Sequence, residues 1–179
     1  MGKIIITEFV SLDGVAEAPE KWSLNFWNSE TERFKTAELA DHAAMLLGRK
    51  TYEGFAAAWP SRSGDYADRF NALPKFAVSK TLRGASWAGS TILSGDFQDE
   101  ITALKTRTNG NIYVHGSIAL AQSLLASGLA DELHLLTYPV VLGSGRRLLD
   151  GAGTATLDLT SSEAFGNGVL ALKYGIKTA

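Results

Sequence analysis

Two short apolar runs in this chain give way, through a glycine, to a stretch of good helix formers. Such a junction can hold an anion, because the first N–H groups of a helix have no intrahelical partner and the helix dipole adds positive charge there. At Gly48-Arg49-Lys50-Thr51, the glycine lets a ligand approach the backbone, Thr51 brings a hydroxyl, and Arg49 and Lys50 place two cations at one helix start. That is more positive charge than a pyrophosphate alone demands; the 2′-phosphate of a nicotinamide dinucleotide would use the guanidinium fork. At His115-Gly116-Ser117 no cation lies nearby in sequence, so main-chain amides and the Ser117 hydroxyl suit a diester-like pyrophosphate. A turn that merely needs positive φ accounts for either glycine taken alone. Neither junction fits G-x-x-x-x-G-K-[ST] or G-x-G-x-x-G, which argues against a P-loop kinase and an ordinary Rossmann domain.

Other residue types are placed where chemistry is conceivable and a plainer role competes. Asp13 ends the opening strand towards the nicotinamide pocket, yet Asp13-Gly14 is also a turn signature. Trp22, Phe26 and Trp27 can cover a flat heterocycle or close a core, and Tyr138 is a candidate pocket wall. Gly143-Ser144-Gly145-Arg146-Arg147 offers a second anion site or a solvated turn. His115 can orient a phosphate or serve as a hydrogen-bonded structural histidine.

Whole classes of function drop out on composition. The sequence contains no cysteine, which excludes thiol catalysis, thiolate zinc and iron–sulfur ligation. The three histidines, His42, His115 and His134, show no ligand spacing, so no metal is expected. Seventeen basic against nineteen acidic residues lack the excess a nucleic-acid binder carries. MGKIIITEF lacks the long apolar region of a signal peptide. The uncharged stretch 108–130 holds Asn109, Asn111 and Gln122, which no lipid-facing helix would collect. A cytoplasmic protein with no membrane or nucleic-acid partner is expected, and 179 residues suffice for one domain over 1–179 with its own core.

The elements that must position these residues alternate. KIIITEF reads as a buried strand closed by a turn; Ser29 and Glu32 form a capping box opening a helix from Glu30 to about His42, with Phe34, Ala37 and Ala40 as its inward stripe. Ala44 to Leu47 is a strand, and RKTYEGFAAAW is a helix halted before Pro60. Residues 61–73 are a polar connection. KFAVS and STIL are strands, and Asp96 caps a helix to about Thr106. IYVH, a helix stopped by Gly128, and LADELHLLTYPVVLG form a strand, helix and long strand. TLDLTSSEAF and GVLALKYGI read as an antiparallel hairpin. The sum is an α/β domain whose sheet is mixed and mainly parallel.

LLGRKTYEGF resembles the G-R-x-T segment of dihydrofolate reductases, and IYVHGSIALAQSLLASGLADELHLLTYPVVLGSG their later strand, glycine turn, helix and strand. FVSLDGV resembles the strand end of the riboflavin-pathway (RibD-type) pyrimidine reductase domain, of the same superfamily. Together these cover nearly the whole chain. The resemblance implies an NADPH-dependent reductase on a dihydrofolate-reductase-like αβα fold, reducing a pterin- or pyrimidine-like heterocycle. By position, Gly48, Arg49, Lys50 and Thr51 would bind the 2′-phosphate side of NADPH, Ser79 and Lys80 the adenosine ribose-phosphate, and Gly116, Ser117 and Ile118 the pyrophosphate. A pterin-holding carboxylate, counted back from Phe34-Lys35, falls on Glu30, which with Asp13 is the catalytic candidate; Trp22, Phe34 and Tyr138 fall on the substrate side. Where the family shows Gly-Gly this chain has Gly116-Ser117, and the expected supporting threonine falls on Leu136. The P-C-x-x-C deaminase motif of the bifunctional riboflavin enzyme is excluded by the lack of cysteine. The rivals are dihydrofolate reductase proper, a non-catalytic NADPH-binding module and an interaction domain; a second copy of the chain is the plausible protein partner.

Overall fold

The computed structural model describes residues 1–177. Its strands are β1 (Ile4–Ser11), β2 (His42–Gly48), β3 (Lys75–Val78), β4 (Ser90–Leu93), β5 (Asn111–His115), β6 (Glu132–Tyr138), β7 (Leu157–Ala164) and β8 (Leu170–Ile176). Its α-helices are α1 (Ser29–Asp41), α2 (Arg49–Ala58), α3 (Asp65–Ala72), α4 (Phe97–Arg107) and α5 (Ile118–Ala126). The strands form one sheet in the order β4-β3-β2-β5-β1-β6-β8-β7, parallel from β4 to β6 and antiparallel from β6 to β7. This is the expected α/β architecture, including the C-terminal hairpin.

Strand alternation sorts the core onto two faces. Ile4, Ile6, Ala44, Leu46, Ile112 and Val114 pack with Ile101 and Leu104 of α4 and with Leu120, Ala121 and Leu124 of α5. Met45, Leu47 and Ala77 pack the other way, with Leu39 of α1, Tyr52 of α2 and Phe70 of α3. A third cluster gathers Phe9, Trp22, Phe26 and Phe34 around Leu136, Tyr138 and Phe165, beneath the hairpin.

Several local expectations need correction. Helix α1 is capped by Asn28, whose Oδ1 accepts from Thr31 N, and Ser29 lies inside the helix. Its inward face is Thr31, Lys35, Glu38 and Leu39, while Ala37 and Ala40 are exposed. Polar partners on the sheet turn that face inward, so apolar spacing misplaced it. Residues 61–73 contain α3, whose Phe70 is buried against Trp59 and Trp87. The long strand ends at Tyr138, because Pro139 has no N–H to continue a ladder. No helix among the described residues is long and apolar enough to cross a membrane.

Candidate active site at the β1/β5 switch point

The chain leaving β1 crosses β5 to reach β2, whereas the chain leaving β5 crosses β1 to reach β6. At such a reversal the connections lie on opposite faces, and the crevice beyond the strand carboxyl ends is where open α/β sheets bind ligands. Both glycine junctions open onto it, because β2 and β5 are parallel neighbours. Gly48 N donates to Ser117 Oγ at 3.0 Å, and Ser117 Oγ donates to the His115 carbonyl at 3.1 Å. A methyl group on Gly116 would meet Thr51 Cγ2 at 3.4 Å. Gly116 and Ser117, at φ +55° and +63°, carry the backbone through this contact in the left-handed region. Neither α2 nor α5 has a side-chain cap, so their first-turn amides remain available to an anion. Arg49 Nη1 lies 3.2 Å from Glu53, and both side chains are over 40% exposed. A pair of that kind is worth only about 0.3–0.5 kcal/mol and leaves Arg49 free to change partner. Lys50 is exposed beside it.

Ser79 and Lys80 follow β3, the neighbour of β2. Ser79 Oγ accepts from Thr81 N and Leu82 N, which fixes the turn, while Lys80 is exposed. Both line a cavity of about 280 Å³ at the carboxyl ends of β3 and β4, walled by Val78, Leu93, Phe97 and Ile101. The cofactor candidates therefore line up along one edge of the sheet. A second groove, of about 870 Å³, runs between α1 and α3, with Arg62 and Arg69 among its lining residues. Arg69 is tied to the Leu39 and Ala40 carbonyls at the end of α1.

The substrate-side aromatics also meet. Trp22 and Phe26 stand edge-on to the buried Tyr138 ring at 5.5 and 5.8 Å, and Phe9 is tilted against it at 5.4 Å. Phe34 stands edge-on to Phe165 at 6.4 Å; Trp27 lies outside the cluster, exposed. Burial pushes the Tyr138 hydroxyl up, beyond the ordinary phenol range.

The two carboxylates singled out from the sequence each accept hydrogen bonds from backbone amides of another loop. Glu30 Oε2 accepts from Gly166 N at 2.8 Å and from Asn28 Nδ2 at 3.0 Å, fastening the start of α1 to the β7–β8 turn. Asp13 accepts from Ser11 Oγ, Leu142 N and Gly143 N, and these bonds hold its pKa down to about 2. These amides lie in residues 139–147, a strap that follows β6, where the backbone N of Arg146 donates to Glu17 and Arg147 Nε to the Asp13 carbonyl, while the Arg146 side chain is exposed.

Sequence spacing missed the ionisable cluster beneath α1. Lys35 Nζ donates to Glu38 Oε2 at 2.5 Å and to Thr7 Oγ1 at 3.1 Å; His134 Nδ1 lies 2.8 Å from Glu38 Oε1, and all four residues are buried. Burial alone would raise the Glu38 carboxyl, but Lys35 and His134 beside it hold it well below the usual range. His42 and His115 join Nε2 to Nε2 at 2.7 Å, and His42 Nδ1 is 2.6 Å from the Glu38 carbonyl. Two histidines 73 residues apart thus meet ring to ring, and a third, 96 residues from Glu38, meets its carboxylate; no linear motif announces either contact. The detectable signal was the pair Lys35 and Glu38 at i,i+3. On the opposite face of β1, Glu8 Oε1 is buried with no partner among the described residues.

The family model described as the RibD C-terminal domain matches residues 2–171. An uncharacterised Bacillus subtilis (strain 168) protein, YyaP, is 23% identical over 178 residues, covering 96% of this chain and 94% of that one. A Shewanella sp. PV-4 crystal structure, provisionally described as a riboflavin biosynthesis protein, superposes with a TM-score of 0.79 at 20% identity, covering 98% and 99% of the two chains. Dihydrofolate reductase from Enterococcus faecalis, complexed with NADP(H), superposes with a TM-score of 0.65 at 14% identity over 99% and 98%. The dihydrofolate-reductase-like fold is thereby shown, and by its match over nearly all its length this chain belongs to the RibD C-terminal domain family.

Proposed function

We propose that this protein is an NADPH-dependent reductase that delivers a hydride to a flat nitrogen heterocycle of pterin- or pyrimidine-like type, working as a cytoplasmic enzyme. The observation that carries this reading is the contact between the two glycine junctions, which sets two uncapped helix starts side by side with Arg49 and Lys50 at their edge. Those residues fit a dinucleotide. The first-turn amides after the Gly116-Ser117 turn, Ile118 among them, would hold the pyrophosphate, Gly48, Arg49, Lys50 and Thr51 the 2′-phosphate side, and the cavity beside Ser79 and Lys80 the adenosine ribose-phosphate. The bound dinucleotide supplies the hydride. The protein's own part is to orient it and to offer Trp22, Phe34 and Tyr138 as an apolar wall for the substrate ring. Glu30 and Asp13, each already accepting a backbone amide, act in this reading as fasteners of the loops around the crevice, and water supplies the proton. The open edge of β7, with Leu159 exposed, is the surface on which a second copy would pair.

Thermal shift with NADPH against NADH tests the assignment. NADPH should bind at least about tenfold more tightly, and Arg49→Ala should bring the two to near parity, since a charge-assisted bond contributes about 1.5–3 kcal/mol. Equal protection of the wild type by both dinucleotides, or by neither, removes the 2′-phosphate site. NADPH oxidation with dihydrofolate and with aminopyrimidines then separates a folate reductase, a pyrimidine reductase and a module that binds without turnover.

A further inference from the structure

We infer that His115 determines substrate specificity: its Nδ1, locked as a bare acceptor by His42, takes a hydrogen bond from an N–H group of the substrate. The location of that substrate rests on the reductase reading above; the lock itself does not. A carbonyl oxygen can only accept, so His42 Nδ1, 2.6 Å from the Glu38 carbonyl, carries a hydrogen. A neutral imidazole has one hydrogen, which leaves His42 Nε2 as a lone pair. The 2.7 Å contact between the two Nε2 atoms then requires the hydrogen to sit on His115. His115 has thereby used its only hydrogen, and its Nδ1 is an acceptor.

Burial keeps both rings neutral, His42 down to about 4 and His115 well below the ordinary histidine range. The rings are held in a column: His42 stacks on Tyr113 at 3.8 Å and on His115 at 4.9 Å, and Phe70 of α3 stands edge-on to His115 at 5.6 Å. The neighbouring donors are committed elsewhere. Lys35 donates to Thr7 and Glu38, and the Tyr113 hydroxyl to Asp41. Nδ1 has no partner among the described residues, although His115 is over nine-tenths buried, and it is not one of the orphan polar atoms sealed from solvent. His115 ends β5, directly before the Gly116 turn and level with Thr7 of β1, which puts the residue itself at the switch-point crevice. A fixed acceptor there admits an amino group or a protonated ring nitrogen. It rejects a carbonyl or a bare ring nitrogen, whose lone pair would face its own. His42 and the Glu38 carbonyl are positioning groups, acting through His115.

Long-range proton–nitrogen correlation NMR on the ¹⁵N-histidine-labelled full chain tests this directly, since only three histidines contribute. At neutral pH, His42 should be the Nδ1–H tautomer and His115 the Nε2–H tautomer, with resonances assigned by His42→Phe and His115→Gln. With NADPH present, 2,4-diaminopyrimidine at millimolar concentration should shift the His115 Nδ1 resonance towards that of a hydrogen-bonded nitrogen. Pyrimidine should not, and the affinities should differ about tenfold or more. His42→Phe should leave His115 a mixture of tautomers and narrow the gap between the two probes. A His115 that carries its hydrogen on Nδ1, or an Nδ1 that both probes move alike or the amine leaves unmoved, overturns the inference; the wild-type spectra decide this even if the His42 variant fails to fold. NADPH protection recorded on the same sample is a separate readout, whose failure defeats the reductase reading while leaving the tautomer result to stand.

Discussion

Glu8 lies between Ile6 and Val10 on the β1 face that packs against α4 and α5, opposite Leu135 of β6. Burial raises its carboxyl well above the usual carboxylate range, with Lys35 opposing only in part, so the folded protein keeps a proton that the unfolded chain has released. The contribution of Glu8 to stability then falls as pH climbs above about 4.5, the ordinary value of this group. Glu8→Gln keeps the shape and removes the titration. His42 and His115, held neutral by burial, push stability the other way over the same range, equally in both proteins, so urea denaturation at pH 5 and pH 8 should show the variant gaining stability relative to the wild type across that interval and being the more stable at pH 8. Parallel pH profiles for the two proteins would mean that Glu8 is solvated. Glu38 shows the reverse: with comparable burial its two oxygens are met by Lys35, Thr7 and His134, and the charge is kept. Two buried glutamates therefore differ in protonation through their partners, not their depth.

At the scale of elements, the turn between β5 and α5 balances strain against bonding. Ser117 holds a left-handed conformation that disfavours a side chain by roughly 1 kcal/mol, and its hydroxyl joins β5 to the start of α2. Ser117→Ala keeps the strain and loses both bonds, so it should destabilise by about 1–2 kcal/mol. Ser117→Gly loses the bonds and relieves the strain, so it should lie within about 0.5 kcal/mol of wild type. Equal losses in chemical denaturation would show that the conformation carries no strain. The turn was legible in the sequence as Gly116-Ser117, and so were the Gly48 junction, the hairpin and the Asp96 cap, because each depends on residues within one turn of each other. The rotation of α1 was not. Its mean pattern is polar on every side, and only Thr7 and His134, supplied by β1 and β6, decide that Lys35 and Glu38 face inward.

For the whole molecule, anything that binds the folded state alone adds RT ln(1 + [L]/Kd) to its stability. NADPH at about 100 times its Kd should therefore contribute about 2.7 kcal/mol, a rise in Tm of roughly 5–10 °C for a chain of this size. No rise at any concentration would leave the cradle without its proposed ligand. The sequence by itself determined the α/β class, the mainly parallel sheet with its terminal hairpin, and the two glycine junctions at helix starts, since hydrophobic period and glycine placement are local quantities. The resemblance carried by LGRKTYE and the Gly116 to Gly143 block added the family. What only the tertiary structure decided is which side chains share the crevice. Strand order sets Gly48 against Ser117 and brings His42, His115 and His134 around Glu38, while Glu30 and Asp13 are drawn off to backbone amides of the hairpin and the strap. The physical reason is that a buried polar group takes whichever partner the packed sheet and helices bring within hydrogen-bond reach, and separation along the chain has no bearing on that choice.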